Sequence, residues 1–236
     1  MGSISHKIAL ISGGAGGIGR AIANLLAKDG VNTVIADLRE PLEKDQHLYY
    51  HKTDISDAAA INSLYSYVQE QHGNPDLIVC NAGMGIKERL AEGDPEKWQQ
   101  VFNLNVMGHL RTIRAFLPQM LQKNYTTDVV FISSVAARKP HEWGGIYAAS
   151  KAAVQSLAET LRLEVQPKVR VSTVLPGVVD TDFFAHTMGG DTASAESFGW
   201  GSLSAGEVAE AVYYIISRPP GVAVNEITLR PAAQAF

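Results

Sequence analysis

The stretch that decides the fold is Ile8-Ala9-Leu10-Ile11-Ser12-Gly13-Gly14-Ala15-Gly16-Gly17-Ile18-Gly19, near the start of the 236-residue chain. A short apolar run leads directly into glycines, and a helical pattern follows. Glycine lets the backbone turn tightly and approach a phosphate, while the N-terminus of a helix offers free N–H groups. A turn placed between a strand and a helix therefore predicts phosphate binding rather than mere flexibility. The apolar stripe of the helix is Ile18, Ala21, Ile22, Leu25 and Leu26.

The alternation of strand and helix patterns continues along the chain. Most of the strand patterns are continuous apolar runs, which is typical of strands covered by helices on both faces. The predicted strands are residues 7–12, 33–37, 48–52, 77–80, 128–133, 169–175 and 226–229. This order predicts one Rossmann-type, doubly wound α/β domain, with a mostly parallel seven-stranded sheet and helices on both faces.

Residues 182–204 depart from this regular pattern. They are rich in Gly, Ala and Ser and carry several large apolar side chains, including Phe183, Phe184 and Trp200. A loop of this length inside a compact domain is often a functional lid. We therefore expect a single dinucleotide-binding domain over residues 1–236, with a substrate lid around 182–204.

Composition argues against several classes of protein. The formal net charge of −4 disfavours a nucleic-acid partner. Apolar runs are too short to cross a bilayer and no signal pattern opens the chain, so we expect no membrane partner and a cytoplasmic location. The single cysteine, Cys80, lies in an apolar run and is expected to be a small buried hydrophobe. We predict no metal site.

Asp37 indicates which dinucleotide is bound. It closes the second predicted strand, where a carboxylate can accept hydrogen bonds from both ribose hydroxyls of adenosine and would repel a 2′-phosphate. Gly16 supplies no positive charge that could hold such a phosphate. Arg39 could do so, or could be a solvated surface charge. We expect NAD, with NADP the less favoured cofactor.

Two short motifs follow the next strands, where a bound adenosine would pass. Asp54-Ile55 comes after the third strand and Asn81-Ala82-Gly83 after the fourth. Asp54 could instead cap the next helix, and Asn81-Ala82-Gly83 could be an ordinary turn.

Tyr147 and Lys151 are four residues apart, so a helix places both side chains on one face. A free tyrosine titrates near pH 10 and is a poor base at neutral pH. A cation beside it favours the phenolate, which moves the pair towards acid–base chemistry.

In the combination and order of its motifs, the chain resembles the short-chain dehydrogenase/reductase family over essentially its whole length. The motifs are Ser12-Gly13-x-x-x-Gly17-Ile18-Gly19, Asn81-Ala82-Gly83, Asn105, Ser133-Ser134, Tyr147-x-x-x-Lys151 and Pro176-Gly177. The resemblance implies a catalytic tetrad of Asn105, Ser134, Tyr147 and Lys151. Ser134 is preferred over Ser133 because the family's serine usually lies thirteen positions before the tyrosine.

The resemblance also implies the chemistry. Tyr147 would be acid and base in reversible hydride transfer between NAD(H) and a secondary alcohol or ketone, and Lys151 would lower the pKa of Tyr147. Ser134 would donate to the substrate oxygen, and Asn105 would hold a water near Lys151. The implied cofactor contacts are Ser12, Gly13, Gly17, Ile18, Gly19, Asp37, Asp54, Ile55, Asn81, Ala82, Gly83, Tyr147, Lys151, Pro176, Gly177, Val179 and Thr181.

The C-terminal sequence departs from the commonest family pattern. Residues 225–234, Asn-Glu-Ile-Thr-Leu-Arg-Pro-Ala-Ala-Gln, replace a Gly-Gly segment. This ending is similar to the branch that includes 3-hydroxy acid and serine dehydrogenases, many of which prefer NADP. We follow Asp37, because it would touch the cofactor directly.

Residues near the tetrad give expectations about the substrate. Met84, Val135, Trp143, Phe183 and Trp200 would wall a largely apolar pocket, although an aromatic stripe could equally be core. His141 could border the substrate with Trp143, whereas we expect His109 to be a partly exposed helix residue. Arg138 and Lys139 are the nearest cations that could bind a substrate carboxylate.

Small residues at four-residue spacing (Ala148, Ala152 and Ser156) permit close approach of a second helix, and the family usually associates there. We expect a homo-tetramer, or a dimer. Two other functions remain open. The chain could be an NADPH-dependent 3-oxoacyl carrier-protein reductase, or a binding protein that senses NAD without catalysis.

Overall fold

All seven predicted strands form in the computed structural model, which describes residues 7–42, 44–189 and 199–235. Their bounds differ from the prediction by no more than one residue. The strands are β1 (Ile8–Ser12), β2 (Asn32–Asp37), β3 (Leu48–Lys52), β4 (Leu77–Cys80), β5 (Thr127–Ile132), β6 (Val169–Pro176), two short strands β7 (Val179–Asp180) and β8 (Leu203–Ser204), and β9 (Glu226–Leu229).

The seven long strands form one parallel sheet in the order β3-β2-β1-β4-β5-β6-β9. The predicted doubly wound fold is therefore confirmed. The chain leaves β1 towards β2 and later returns to pair β4 on the other side of β1. Such a reversal of strand order opens a crevice beyond the carboxyl ends of β1 and β4, where open α/β sheets bind their ligands.

Helices cover both faces of the sheet. They are α1 (Gly17–Lys28), α2 (Ala58–Gln71), α3 (Pro95–Phe102), α4 (His109–Met120), α5 (Gly145–Val165) and α6 (Ala205–Ile216). A π-helical turn over Asn103–Gly108 joins α3 to α4, and a 3-10 turn over Val135–Ala137 follows β5. Within the described ranges, no helix is both long enough and apolar enough to span a membrane.

Two apolar cores explain why the strand patterns are continuous rather than alternating. Ile11 packs in the core beneath α1 and α6, whereas its neighbour Leu10 packs in the core beneath α2, α4 and α5. Each of these side chains is almost fully buried. Burial of one such side chain contributes about 1.5–3 kcal/mol, so both faces of the sheet stabilise the domain.

Part of the expected lid has regular structure. Leu203 and Ser204 form β8, which pairs with β7, and Ser204 then caps α6 in a reciprocal capping box with Glu207. Residues 190–198 of the expected lid, Phe198 among them, lie outside the described residues.

Candidate active site

The glycine turn forms an open cradle at the start of α1. Gly13 and Gly17 have φ values of +67° and +49°, a region that favours glycine. A Cβ on Gly19 would collide with the carbonyl oxygen of Gly13. The N-cap residue Gly16 makes no side-chain capping bond, and the first turn carries no acidic residue. Neither the cap residue nor the first turn therefore supplies a side chain that competes for the N–H groups of this helix end, and the cradle fits the pyrophosphate of a dinucleotide.

Side chains on β1 and β4 join the two sides of the crevice. The Ser12 hydroxyl accepts hydrogen bonds from the N–H groups of Asn81 (3.1 Å) and Ala82 (3.2 Å). The Asn81 amide nitrogen donates to the carbonyls of Ser12 (3.1 Å) and Gly13 (2.9 Å). These bonds fix the glycine turn against Asn81-Ala82-Gly83, which is thus more than an ordinary turn.

Asp37 ends β2 beside the glycine turn. Its carboxylate accepts hydrogen bonds from the N–H groups of Ala15 (3.0 Å) and Arg39 (3.1 Å). The Arg39 Nη2 lies 3.2 Å from the position that a Cβ on Gly16 would occupy. The sequence left open whether Arg39 could hold a 2′-phosphate or is a solvated surface charge, and the structure places its guanidinium, two residues beyond β2, next to the glycine turn.

Asp54 and Ile55 follow β3 at the same edge of the sheet. Asp54 accepts a hydrogen bond from the Ser56 N–H (2.9 Å), while Asp57 is the residue that caps α2. Asp54 is therefore not the helix cap. The Ile55 side chain is buried against Gly108, where a Cβ would lie 2.8 Å from Ile55 Cδ1. The Ile55 side chain is therefore occupied by packing inside the domain.

Lys151 is buried at the carboxyl end of β5. It is 4% exposed, and its Nζ donates to the carbonyl of Ile132 at 2.9 Å. This Nζ lies 5.8 Å from the centre of the Tyr147 ring. Burial lowers the pKa of Lys151 to about 8. The amine and the phenol therefore share one face of α5, as the four-residue spacing predicts.

The electrostatics of Tyr147 differ from the expectation. Burial raises the pKa of its hydroxyl to about 12, and a hydrogen bond from Ser134 offsets part of this effect. We expected Lys151 to lower the pKa, but in the protein alone the causes are burial and, in the opposite direction, Ser134, and no effect of Lys151 is resolved. Tyr147 is consequently a protonated phenol at neutral pH, in the form that can donate a proton.

Ser134 and Ser133 have separate roles. Ser134 starts the 3-10 turn, where its hydroxyl accepts from the Ala136 N–H at 3.1 Å, and it also meets the Tyr147 hydroxyl. Ser133 is buried and donates to the carbonyl of Lys151 at 3.2 Å. Ser134 is thus both a cap and a neighbour of Tyr147, whereas Ser133 holds α5 against β5.

Asn105 is fully buried within the π-helical turn. Its Oδ1 accepts from the Met84 N–H at 2.9 Å, and its Nδ2 donates to the Met84 carbonyl and the Ser150 hydroxyl, each at 3.0 Å. A Cβ on Gly83 would lie 3.2 Å from Asn105 Oδ1 and 3.5 Å from Lys151 Nζ. The turn therefore brings Asn105 beside Lys151. Wide turns of this kind are frequent at functional sites, and no feature of the sequence predicted this one.

The expectation that His109 is partly exposed is wrong. It is 1% exposed and packs edge-on against Phe131, with ring centroids 6.3 Å apart. Within the described residues neither ring nitrogen forms a hydrogen bond of good geometry, although the Ala82 backbone is close enough to act on the ring. The extra residue in the π-helical turn changes the phase of α4, so α-helical periodicity does not predict which face His109 occupies. Cys80 is fully buried, as predicted.

The segment after β6 reaches the glycine turn. A Cβ on Gly17 would lie 3.2 Å from Cγ2 of Thr181. Val179 lies in β7, and the Gly177 N–H donates to the carbonyl of Leu229 at 2.8 Å. The end of this segment, at Thr181, therefore borders the cradle.

The residues that were expected to border the substrate come from separate loops. The ring of Phe183 packs against that of Tyr147, with centroids 5.6 Å apart, and a Cβ on Gly85 would lie 3.2 Å from Phe183 Cε1. Trp143 has a φ of +70° and is 39% exposed, with Arg89 stacked over its ring at 4.4 Å. Arg138 forms an ion pair with Glu226 of β9, which occupies its guanidinium outside the Tyr147 cluster.

Comparisons with known proteins match this geometry. Residues 7–189 match the model of the short chain dehydrogenase family. An uncharacterised oxidoreductase of Staphylococcus saprophyticus is 31% identical over 98% of this chain and 100% of its own. An alcohol dehydrogenase from the archaeon Thermococcus sibiricus, complexed with 5-hydroxy-NADP, has a TM-score of 0.83 at 30% identity over 98% of each chain. A serine dehydrogenase in closed form with NADP⁺ has a TM-score of 0.88 at 27% identity, covering 97% of this chain and 96% of its own.

The chain therefore belongs to the short-chain dehydrogenase/reductase family. It is an NAD(P)-dependent oxidoreductase that acts on CH–OH groups.

Proposed function

We propose that this enzyme transfers hydride reversibly between NAD(H) and a secondary alcohol or ketone, with Tyr147 as the acid and base. The observation that carries the proposal is the convergence of Tyr147, Lys151, Ser134 and Asn105 around the carboxyl ends of β4 and β5. They come from three separate segments, since only Tyr147 and Lys151 share a helix, yet Ser134 meets the Tyr147 hydroxyl and Asn105 lies beside Lys151.

Each residue has a distinct role in the proposed reaction. A bound nicotinamide ring supplies the hydride acceptor for oxidation and the donor for reduction. In reduction, the Tyr147 phenol gives its proton to the substrate oxygen; in oxidation, the same oxygen takes the proton of the alcohol. The Ser134 hydroxyl donates to the substrate oxygen and stabilises the charge that builds on it.

Lys151 and Asn105 act on Tyr147 rather than on the substrate. In its ammonium form, Lys151 favours the phenolate and so makes proton removal by Tyr147 easier. Asn105 fixes the backbone of Met84 and the hydroxyl of Ser150 next to this amine. It thus maintains the position of Lys151, and a water between them would connect the amine to solvent.

Asp37 supports NAD as the cofactor. Its carboxylate is held by two backbone N–H groups at the mouth of the cradle, where it can accept from ribose hydroxyls and would repel a 2′-phosphate. NADP is a second candidate because Arg39 reaches Gly16, where a 2′-phosphate could meet its guanidinium. Both candidates use the same cradle, so only the ribose end distinguishes them.

Kinetics with the two cofactors test this choice. We expect the wild type to favour NAD⁺ over NADP⁺ by at least about tenfold in kcat/KM, since one charged contact is worth about 1–3 kcal/mol. Asp37→Ser should remove most of that preference, whereas Arg39→Ala should leave kcat/KM for NAD⁺ unchanged. A wild type that prefers NADP⁺, with Arg39→Ala abolishing the preference, would favour the second candidate.

We propose an apolar substrate pocket, because Phe183 packs on Tyr147 and Arg138 is already paired with Glu226. Absorbance at 340 nm with NAD⁺ and matched secondary alcohols and 3-hydroxy acids tests this. Turnover of the neutral alcohols should exceed that of the acids. Tight NADH binding without turnover on either series would favour a sensing protein, and NADPH-dependent reduction of 3-oxoacyl thioesters would favour the carrier-protein reductase.

We further propose a homo-tetramer, or a dimer, formed through α5. Ala152 and Ser156 are exposed on this helix and allow close approach of a second helix, whereas Ala148 is buried within the chain. Light scattering at micromolar concentration should give a mass well above 25.4 kDa. A monomeric mass would contradict the proposed assembly.

A further inference from the structure

The C-terminal segment after β9 returns across the end of β6. Pro231 and Gln234 are both buried, and the Gln234 N–H donates to the carbonyl of Pro231 at 2.9 Å, which closes a turn. Gln234 is 8% exposed, an unusual degree of burial for a glutamine. The proposed reaction assigns this segment no role.

The buried Gln234 amide contacts the loop that follows β6. Its Oε1 accepts a hydrogen bond from the Val178 N–H at 3.1 Å. A Cβ on Gly177 would collide with this same oxygen, so Gly177 is the residue that admits the amide. The Gly177 N–H donates to Leu229 of β9. The tail and the last strand therefore fix two consecutive peptide groups, those of Gly177 and Val178.

These two peptide groups begin the loop that borders the cleft. The Val178 carbonyl accepts from the Leu203 N–H of β8 at 2.9 Å, and Val179 pairs with the same strand. Two residues further on, Thr181 lies against Gly17 of the glycine turn. A change in the Val178 peptide would therefore be transmitted to the backbone of Val179 and to Thr181.

We propose that Gln234 is a positioning residue for the nicotinamide half of the cofactor, acting through the Val178 N–H. The proposal rests on the proposed function and on the family resemblance, which implies that Thr181 and the backbone of Val179 contact the nicotinamide. Val178 is buried, so its N–H loses its partner if Gln234 Oε1 is removed. An orphaned buried N–H is costly, and the peptide would turn to find another acceptor, displacing Val179.

Binding of two ligands separates positioning from general stability. NADH carries the nicotinamide, whereas ADP-ribose carries the adenosine, pyrophosphate and second ribose without it. Gln234→Met keeps the length of the side chain and removes the amide oxygen, while Gln234→Glu keeps an acceptor oxygen. We expect Gln234→Met to weaken NADH about tenfold by fluorescence titration and to change ADP-ribose by less than about twofold. Gln234→Glu should recover most of the NADH affinity.

Gly177→Ala is an independent probe, because it leaves Gln234 intact but displaces its amide. It should show the same selective loss of NADH affinity, and adding Gln234→Met should weaken NADH no further, since both changes remove one contact. This variant decides the question if Gln234→Met does not fold. Ser217→Ala is the matched control: it also removes a hydrogen bond of a buried polar side chain, from the Ser217 hydroxyl to the Tyr214 carbonyl at the end of α6, and should leave both affinities unchanged.

Two results would overturn the positioning role. One is an equal loss of NADH and ADP-ribose in Gln234→Met and Gly177→Ala, which would indicate a structural effect on the whole cleft. The other is unchanged NADH affinity in both variants. A wild type that binds neither ligand would instead contradict the proposed function itself, and the positioning role would fail with it.

Discussion

A buried cation from a neighbouring element lies beside each end of strand β5. Arg170 of β6 has many hydrogen-bond partners, whereas Lys151 of α5 has few. At the amino end of β5, Arg170 makes a bidentate pair with Asp128, at 2.7 and 3.0 Å, and donates to backbone carbonyls at the end of α6 and just beyond it. At its carboxyl end, Lys151 donates to the carbonyl of Ile132, and no carboxylate of the described residues forms an ion pair with it.

This difference separates structural charge from functional charge. Arg170 has acceptors for its guanidinium donors, so it joins β5, β6 and the end of α6. Lys151 is as deeply buried but has fewer partners, and burial lowers its pKa to about 8. A charge left short of partners costs stability but remains available to bias Tyr147 and to meet a ligand. Strained electrostatics of this kind are typical of active sites.

The largest expected effect comes from breaking the satisfied pair. Arg170→Met leaves Asp128 buried without its cation, although burial already raises the pKa of that carboxyl. Urea denaturation should show a loss of about 3–5 kcal/mol in the free energy of unfolding. Arg162→Ala is the control, because it removes an ion pair with Glu159 on an exposed helix face and should barely change the unfolding midpoint. If the two variants lowered the free energy of unfolding equally, the buried Arg170–Asp128 pair would have no special structural role.

Removing the buried ammonium of Lys151, which has few partners, should instead raise the free energy of unfolding. In Lys151→Met, the cost of burying an ammonium disappears, partly offset by the lost bond to Ile132. We expect a gain of about 1–3 kcal/mol in the free energy of unfolding at pH 7, with activity reduced by about a thousandfold.

The pH dependence checks the sign of the Lys151 effect. The folded pKa of about 8 lies below the unfolded value of 10.5, so the unfolded wild type binds more protons between these values. Wild-type stability should therefore rise with pH across this window, and the gap between the two proteins should close by about pH 10.5. A Lys151→Met protein that is less stable than the wild type at pH 7 would contradict the account of Lys151.

A smaller effect is expected from His109, the uncharged neighbour of Lys151. Burial, and next the charge of Lys151, lower the pKa of His109 to about 3 from 6.5, with a small opposing effect of the Ala82 backbone. Protonation therefore favours the unfolded state below pH 6.5. The wild type should lose about 2 kcal/mol from this group between pH 7 and pH 5, a loss that His109→Leu should lack. Denaturation curves of both proteins at pH 7 and pH 5 measure this loss. An equal loss of stability in the wild type and in His109→Leu would show that His109 is not responsible.

The sequence predicted best what depends on local pattern. Continuous apolar runs located the strands because helices cover both faces of the sheet. The glycine turn was predictable because a strand, glycines and a helix follow one another directly. The Tyr147–Lys151 spacing likewise placed both side chains on one face of α5, as helix geometry requires.

Contacts between distant segments were not predictable in this way. The approach of Arg39 to Gly16 and the reach of Gln234 to Val178 depend on how β2 and the tail pack. The π-helical turn changes the phase of α4 and buries His109, and no residue type in that turn specifies it. The raised pKa of Tyr147 could not be derived either, because burial, its main cause, depends on how the whole cleft packs.

The most direct test of the central claim is the rate of hydride transfer in Tyr147→Phe, measured at 340 nm beside its affinity for NADH. Phenylalanine keeps the ring that packs on Phe183 and removes only the hydroxyl. We predict a rate at least about a thousandfold below that of the wild type across the pH range, with NADH affinity within about threefold. A variant that binds NADH normally and retains more than about a tenth of the wild-type rate would contradict the assignment of Tyr147 as acid and base.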